Sequence, residues 1–194
     1  MPDEMTELFP FTDESDAGDF YETEGVGTRA LAFKYIGKAL TANEFTKYVE
    51  SYNFGSIPPD YIVVHHTARP YTIHAAMGPT TGAWEAGEAG LNEEQIKKKR
   101  LRQVEGMKNY YAREMGWERG PHLFIDDRYI YLFTPMYEIG IHASQGNSYR
   151  DAQGHLHYSI GIEVIGYYER VQWPEQTARL VGHAIAVLKR KLGT

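Results

Sequence analysis

The 194-residue sequence contains no cysteine. That excludes disulfides, a thiolate nucleophile and Cys-ligated zinc, so any metal site has to be built from His, Asp, Glu and water. No apolar run approaches the length of a membrane span, which excludes membrane insertion of that kind. The N-terminus lacks a basic start followed by an apolar run, so no signal peptide is expected and synthesis is expected to be cytoplasmic. Positive charge is not in excess: the formal net charge is −6, which argues against a general nucleic-acid binder. There is no Gly-x-Ser-x-Gly elbow for a serine triad, and neither a phosphate-cradling loop nor a dinucleotide fingerprint.

What is present divides unevenly. Residues 1–27 hold nine acidic side chains and no Lys or Arg, and read as a solvated tail. Residues 28–194 read as one domain. Thr41-Ala-Asn-Glu44 and Asn92-Glu-Glu-Gln95 are two capping boxes that open helices. The second helix is expected to reach Met115, with Leu101, Val104, Met107, Tyr111 and Met115 as its apolar stripe and Gly116 as its stop. Lys97, Lys98, Lys99, Arg100 and Arg102 are expected on its other side, as a solvated face or a surface for an anionic polymer. A third helix starts at Pro174 and carries Val181, Ile185, Leu188 and Leu192. Between the helices, Tyr61–His66 reads as a buried central strand, Pro121–Asp126 and Tyr129–Phe133 as a hairpin, and Ser159–Gly166 as another buried strand. Ser148–His157 reads as a polar loop. The resulting fold class is α/β, a mixed central sheet flanked by helices.

Several residues in this frame can do chemistry. His65 and His66 are adjacent at a strand end and must face opposite sides. Glu163 interrupts an apolar strand, where a carboxylate is costly unless it is paired or functional. It shares a face with Gly161 and Ser159, and the small glycine leaves room beside it. His122 and His142 complete a set of titratable groups at strand termini, where clefts form. Trp84, inside the long Gly-, Ala- and Thr-rich connection 69–91, is either a cleft rim or an ordinary packed Trp. His155 and His157 read as solvated, His183 as a core or boundary residue, and His74 as loop. A glycosidase pairing Glu163 with Asp126 or Asp127 is conceivable, although Asp is expected in a hairpin turn in any case.

Four segments in order carry a family likeness: Ile62-Val-Val-His65-His66-Thr67-Ala68; Gly116-Trp117 with Gly120-Pro121-His122-Leu-Phe-Ile-Asp126; Gly140-Ile-His142-Ala143 with Asn147; and Ser159-Ile-Gly-Ile-Glu163-Val-Ile-Gly166. The chain resembles the zinc-dependent N-acetylmuramoyl-L-alanine amidases, a family that also contains phage endolysins and animal peptidoglycan-recognition proteins. Its Gly-Pro-His segment looks most like prophage-type members. The resemblance implies a peptidoglycan or muropeptide partner, zinc as cofactor with His65 as first ligand, Glu163 as general base, and His122 and His142 in the substrate groove; Asn147 and Trp84 are further candidates for contact with the substrate. Pro121 stands where other members place a tyrosine, which leaves the proton chemistry to Glu163. The family's second and third ligands follow the last long helix, and the resemblance therefore places them beyond Thr194. The alternatives are a module that binds muropeptide without cleaving it and a glycosidase acting on the same polymer. With no signal peptide, such an enzyme would reach the wall after release from the cytoplasm.

Overall fold

The computed structural model describes residues 32–67, 69–70, 72–73 and 83–193. The acidic tail, Ala68 and His74 lie outside the described residues. The order of elements is β1 (Lys38–Leu40), α1 (Ala42–Ser51), β2 (Tyr61–His66), α2 (Glu93–Arg113), β3 (Leu123–Ile125), β4 (Ile130–Leu132), β5 (Ser148–Arg150), β6 (Leu156–Val164) and α3 (Glu175–Leu192). The sheet runs β1-β4-β3-β6-β2, with β5 on the first half of β6. β6 is parallel to both β2 and β3, and the β3–β4, β1–β4 and β5–β6 pairs are antiparallel. This is the mixed α/β architecture expected. No helix among the described residues is long and apolar enough to cross a membrane.

The helices start where their side chains can satisfy free N–H groups. Thr41 and Asn92 each accept from the backbone three residues on, and Glu44 and Gln95 reach back to the cap N–H, so both capping boxes form. α3 begins after Pro174 and ends at Gly193, whose φ of 75° takes the left-handed conformation that glycine adopts without a Cβ penalty. Its buried residues, Leu180, Val181, Ala184, Val187 and Leu188, pack with Phe45 and Val49 of α1 on one sheet face. There they meet Leu123 and Ile125, Ile130 and Leu132, and Ile160, Ile162 and Val164. His183 joins the two helices by hydrogen bonds to Thr46 Oγ1 and the Ala42 carbonyl, the boundary role expected of it.

The other face is covered by α2, and here the expected stripe needs correction. Its buried residues are Ile96, Arg100, Val104 and Met107, and Met115 is exposed beyond the helix end. Arg100 is 1% exposed, so the basic run is not one solvated face. Its guanidinium grips both oxygens of Glu88, at 2.7 and 2.8 Å, and also bonds Asp126 at 2.8 Å and Asp127 at 2.6 Å. Lys99 turns inward as well, to the Trp84 carbonyl. Asp126 accepts from Trp84 Nε1, Arg100, the Tyr131 hydroxyl and the N–H groups of Arg128 and Tyr129. A carboxylate so fully engaged has no lone pair left for general acid–base work, which removes Asp126 from a glycosidase pair.

Two strands also differ from expectation. Among the described residues β2 pairs only with β6, so it is an edge strand rather than a central one, and Val64 is 36% exposed. The polar segment 148–157 is a hairpin: Ser148–Arg150 forms β5, and β6 starts at Leu156. Its turn and most of its flanking side chains are polar, so the sequence carries no strand pattern there. Asp151 turns the hairpin by accepting from the N–H groups of Gln153 and His155. His157 sits between Asp60, just before β2, and Asp151, and stacks on Tyr149 with ring centroids 4.7 Å apart. It thus ties the hairpin to β2 and is not simply solvated.

Two outcomes follow from this packing. Arg100→Met removes the charge but keeps the apolar stem, leaving the buried Asp126 without its cation and Glu88 and Asp127 with Lys99 and Arg128 alone; urea titration should show a loss of about 3–5 kcal/mol. The hydrogen bonds to Asp60 and Asp151 raise the pKa of His157 above its ordinary value. Because the folded value is raised, the stabilisation is complete below the unfolded pKa of about 6.5 and fades as pH rises through the folded pKa. Melting curves of the wild type should therefore exceed those of His157→Gln at acid pH and converge with them on the alkaline side.

Candidate functional site

The site lies on the α2 side of the sheet at the C-terminal ends of the parallel strands β2 and β6. The register pairs His65 with Glu163, and Glu163 in turn with Phe124 of β3. Paired residues in adjacent strands project from the same face, so His65 and Glu163 stand side by side. One row nearer the strand starts, Gly161 pairs with Val63, and Ser159 pairs with Tyr61. His66 projects from the opposite face, where its ring lies edge-on to Tyr167 and Tyr168.

Glu163 is largely buried, and its Oε2 has no hydrogen-bond partner. Burial alone pushes its carboxyl up to about pKa 8. The phenol of Tyr111, on α2, is raised by burial and then by the Glu163 carboxyl. His65 also holds a buried, unpartnered Nε2, and burial followed by the neighbouring His66 lowers its pKa.

His142 completes the set. It does not end a strand; it stands in the loop that leads into the 3-10 turn Ser144–Gly146. Asn147 Oδ1 accepts from the His142 and Ala143 N–H groups, at 3.0 and 2.8 Å, and fixes this loop. The His142 ring lies over Gly161: a Cβ there would sit 2.3 Å from its Cδ2. Its Nε2 is 3.0 Å from Ser159 Oγ, while its Nδ1 is buried without a partner. The ring is 5.7 Å from that of His65, centroid to centroid. Burial first, then His122 and His65, lower its pKa to about 3 and keep it neutral.

The structure does not place His122 or Trp84 in a groove. His122 is fully buried; its Nδ1 accepts from the Gly161 N–H at 2.8 Å and its Nε2 bonds the Glu138 carbonyl at 2.9 Å. It supports the glycine on which His142 rests, and burial lowers its pKa to about 4. Trp84 is also fully buried, bonded to Asp126 and edge-on to Tyr131. Asn147 acts through the loop it holds. Ser159 is the participant that the sequence reading left without a role; its place two residues before Gly161 and four before Glu163, on the same face, was the available signal.

The three orphan atoms, His65 Nε2, His142 Nδ1 and Glu163 Oε2, each cost about 1–3 kcal/mol when buried unpaired. Together they mark a place for a ligand. His65 Nε2 is chemically suited to zinc. No group of three or more His, Asp or Glu side chains among the described residues is arranged to hold a metal ion, so these residues do not form a zinc site by themselves.

The sequence profile of the N-acetylmuramoyl-L-alanine amidases matches residues 55–194. No curated protein matches the chain. Two similar solved structures are of Drosophila PGRP-LB: a point mutant in complex with tracheal cytotoxin, at 20% identity and a TM-score of 0.49, and the wild type, at 21% and 0.48. Each alignment covers 70% of this chain and 64% of the Drosophila chain.

The packing of His142 on Gly161 is directly testable. Gly161→Ala should drive the imidazole off β6 and break its bond to Ser159, at a cost of about 1–3 kcal/mol in thermal or urea unfolding. A Gly182→Ala control, inside α3 where a Cβ meets no atom within 4 Å, should instead stabilise the protein by about 0.5–1 kcal/mol.

Proposed function

Because the chain belongs to the N-acetylmuramoyl-L-alanine amidase family, we propose that it hydrolyses the amide between N-acetylmuramic acid and L-alanine, with Glu163 as the proton-transfer group. The observation that carries this reading is the state of Glu163: a buried carboxyl, unpartnered, in register with His65. A carboxylate kept for stability would be paired, as Asp126 is. An unpaired one with a pKa of about 8 can change protonation state near neutral pH.

The proton bookkeeping is simple. Water adds to the amide carbonyl and gives a proton to ionised Glu163. The C–N bond breaks, Glu163 returns the proton to the departing α-amine, and the carboxylate is regenerated. Glu163 has to be ionised at the start of this cycle, and a cation or a ligand N–H beside it would favour that state. Zinc is the cofactor that the resemblance implies, with His65 as the ligand this chain would offer. The described residues supply no further set around it, so no step is assigned to the metal.

A second reading rests on the three unpartnered polar atoms alone, which call for a ligand and not for a reaction: the domain holds muropeptide without cleaving it. One experiment separates the two. Purified protein supplied with zinc should release new amino termini from peptidoglycan, and Glu163→Gln should lower kcat about 10²- to 10⁴-fold with muropeptide affinity, read by calorimetry, nearly unchanged. Turnover of the variant close to the wild type would remove Glu163 from the chemistry. Binding by the wild type with no release of amino termini would put the binding module first, and release of reducing sugar ends would point to a glycosidase.

A further inference from the structure

We propose that Ser159 locks His142 in the tautomer with its proton on Nε2, so that the Nδ1 lone pair is a fixed acceptor for an amide N–H of the bound muropeptide; the choice of ligand rests on the reading above.

The tautomer follows from counting protons around one hydroxyl. Ser159 Oγ lies 2.8 Å from the Gly146 carbonyl, 3.3 Å from the Asn147 carbonyl and 3.0 Å from His142 Nε2. Carbonyl oxygens only accept, and the hydroxyl has a single proton. With that proton given to Gly146, the shortest contact, Ser159 can meet His142 only as an acceptor, and Nε2 must carry the hydrogen. The reverse arrangement would leave the Gly146 carbonyl with the Tyr61 hydroxyl alone, at 3.0 Å, and strand an N–H at the buried Nδ1. Orphaned buried N–H groups are rarer in proteins than under-satisfied acceptors.

The ring has little freedom to escape this choice. It lies on Gly161, where only the missing Cβ gives it space. The main-chain N–H of His142 is held by Asn147 Oδ1, and the carbonyl of Asn147 accepts from the Ser159 N–H at 3.0 Å. The hydroxyl, the turn and the imidazole are therefore one hydrogen-bonded unit, set one row behind Glu163 on the same sheet face. It ends in an unused lone pair. An acceptor selects a donor, and the stem peptide of a muropeptide offers backbone amide N–H groups, whereas its carboxylates would be refused. Ser159 is thus a positioning residue that acts through His142.

The test is nitrogen NMR on the full chain with ¹⁵N-labelled histidine. The spectrum of the free protein should show His142 with a protonated Nε2 and a bare Nδ1. Addition of a synthetic N-acetylmuramoyl dipeptide should move the Nδ1 resonance in the direction of an accepted hydrogen bond. Ser159→Ala should mix the tautomers and weaken dipeptide binding about tenfold, equivalent to about 1.4 kcal/mol. A proton on Nδ1 in the free wild type would overturn the proposal whether or not the variant folds. So would an Nδ1 resonance unmoved at saturation, or one moved by zinc alone. A dipeptide that fails to bind would overturn the muropeptide reading itself, while the tautomer is judged separately on the free protein.

Discussion

The arrangement on the α2 side depends on one buried charge cluster. Arg100 is closed off from water and has to be neutralised where it sits. Glu88 comes from the connection after Trp84, and Asp126 and Asp127 come from the turn between β3 and β4. One guanidinium thus fixes a helix, a long connection and a hairpin relative to each other. Asp126 extends the cluster into the core through Trp84 and Tyr131. Replacing so many polar groups by a single apolar contact is not possible, which gives the cluster directional character as well as energy. With α2 fixed in this way, Tyr111 comes to lie where Glu163 raises its pKa, so the covering of the site side is set from a distance.

The second constraint is the register of β2 on β6. Parallel pairing with a period of two puts His65 and Glu163 on one face and Val64 and Val164 on the other. A slip of β2 by one residue would turn His65 away from Glu163 and toward the apolar layer on the side of α1 and α3. The branched residues of that layer hold the register. The reactive face can then carry small and polar residues, Ser159 and Gly161 among them, and leave three polar atoms unsatisfied.

Much of this was legible in the sequence because it is local or periodic. The two capping boxes, the opening and closing residues of α3 and the opposed faces of His65 and His66 follow from short-range rules, as does the placing of Glu163 beside Gly161. The burial of Arg100 was not legible. It falls in a run of lysines, and its partners are 12, 26 and 27 residues away, so only the fold brings the charges together. β5 was hidden because it is only three residues long and is followed by a polar turn. The edge position of β2 was hidden because β-branched residues suit a covered strand and a half-covered one alike. Trp84 and His122 have the chemistry of binding residues, and no sequence pattern distinguishes an indole that meets a ligand from one that meets a buried aspartate.

The position of His122 bears on how loss-of-function data at this site would be read. Its imidazole stands in for a main-chain carbonyl: it takes the Gly161 N–H that a neighbouring strand would otherwise receive, and passes its own hydrogen to Glu138. It is a piece of backbone made from a side chain. A genetic screen would score replacement of His122 as severely as replacement of Glu163, and the histidine type would invite a chemical explanation. The two phenotypes have different origins: one removes a proton-transfer group from an intact sheet, and the other removes a rung between β3 and β6, on which the glycine, the His142 ring and the loop above them depend.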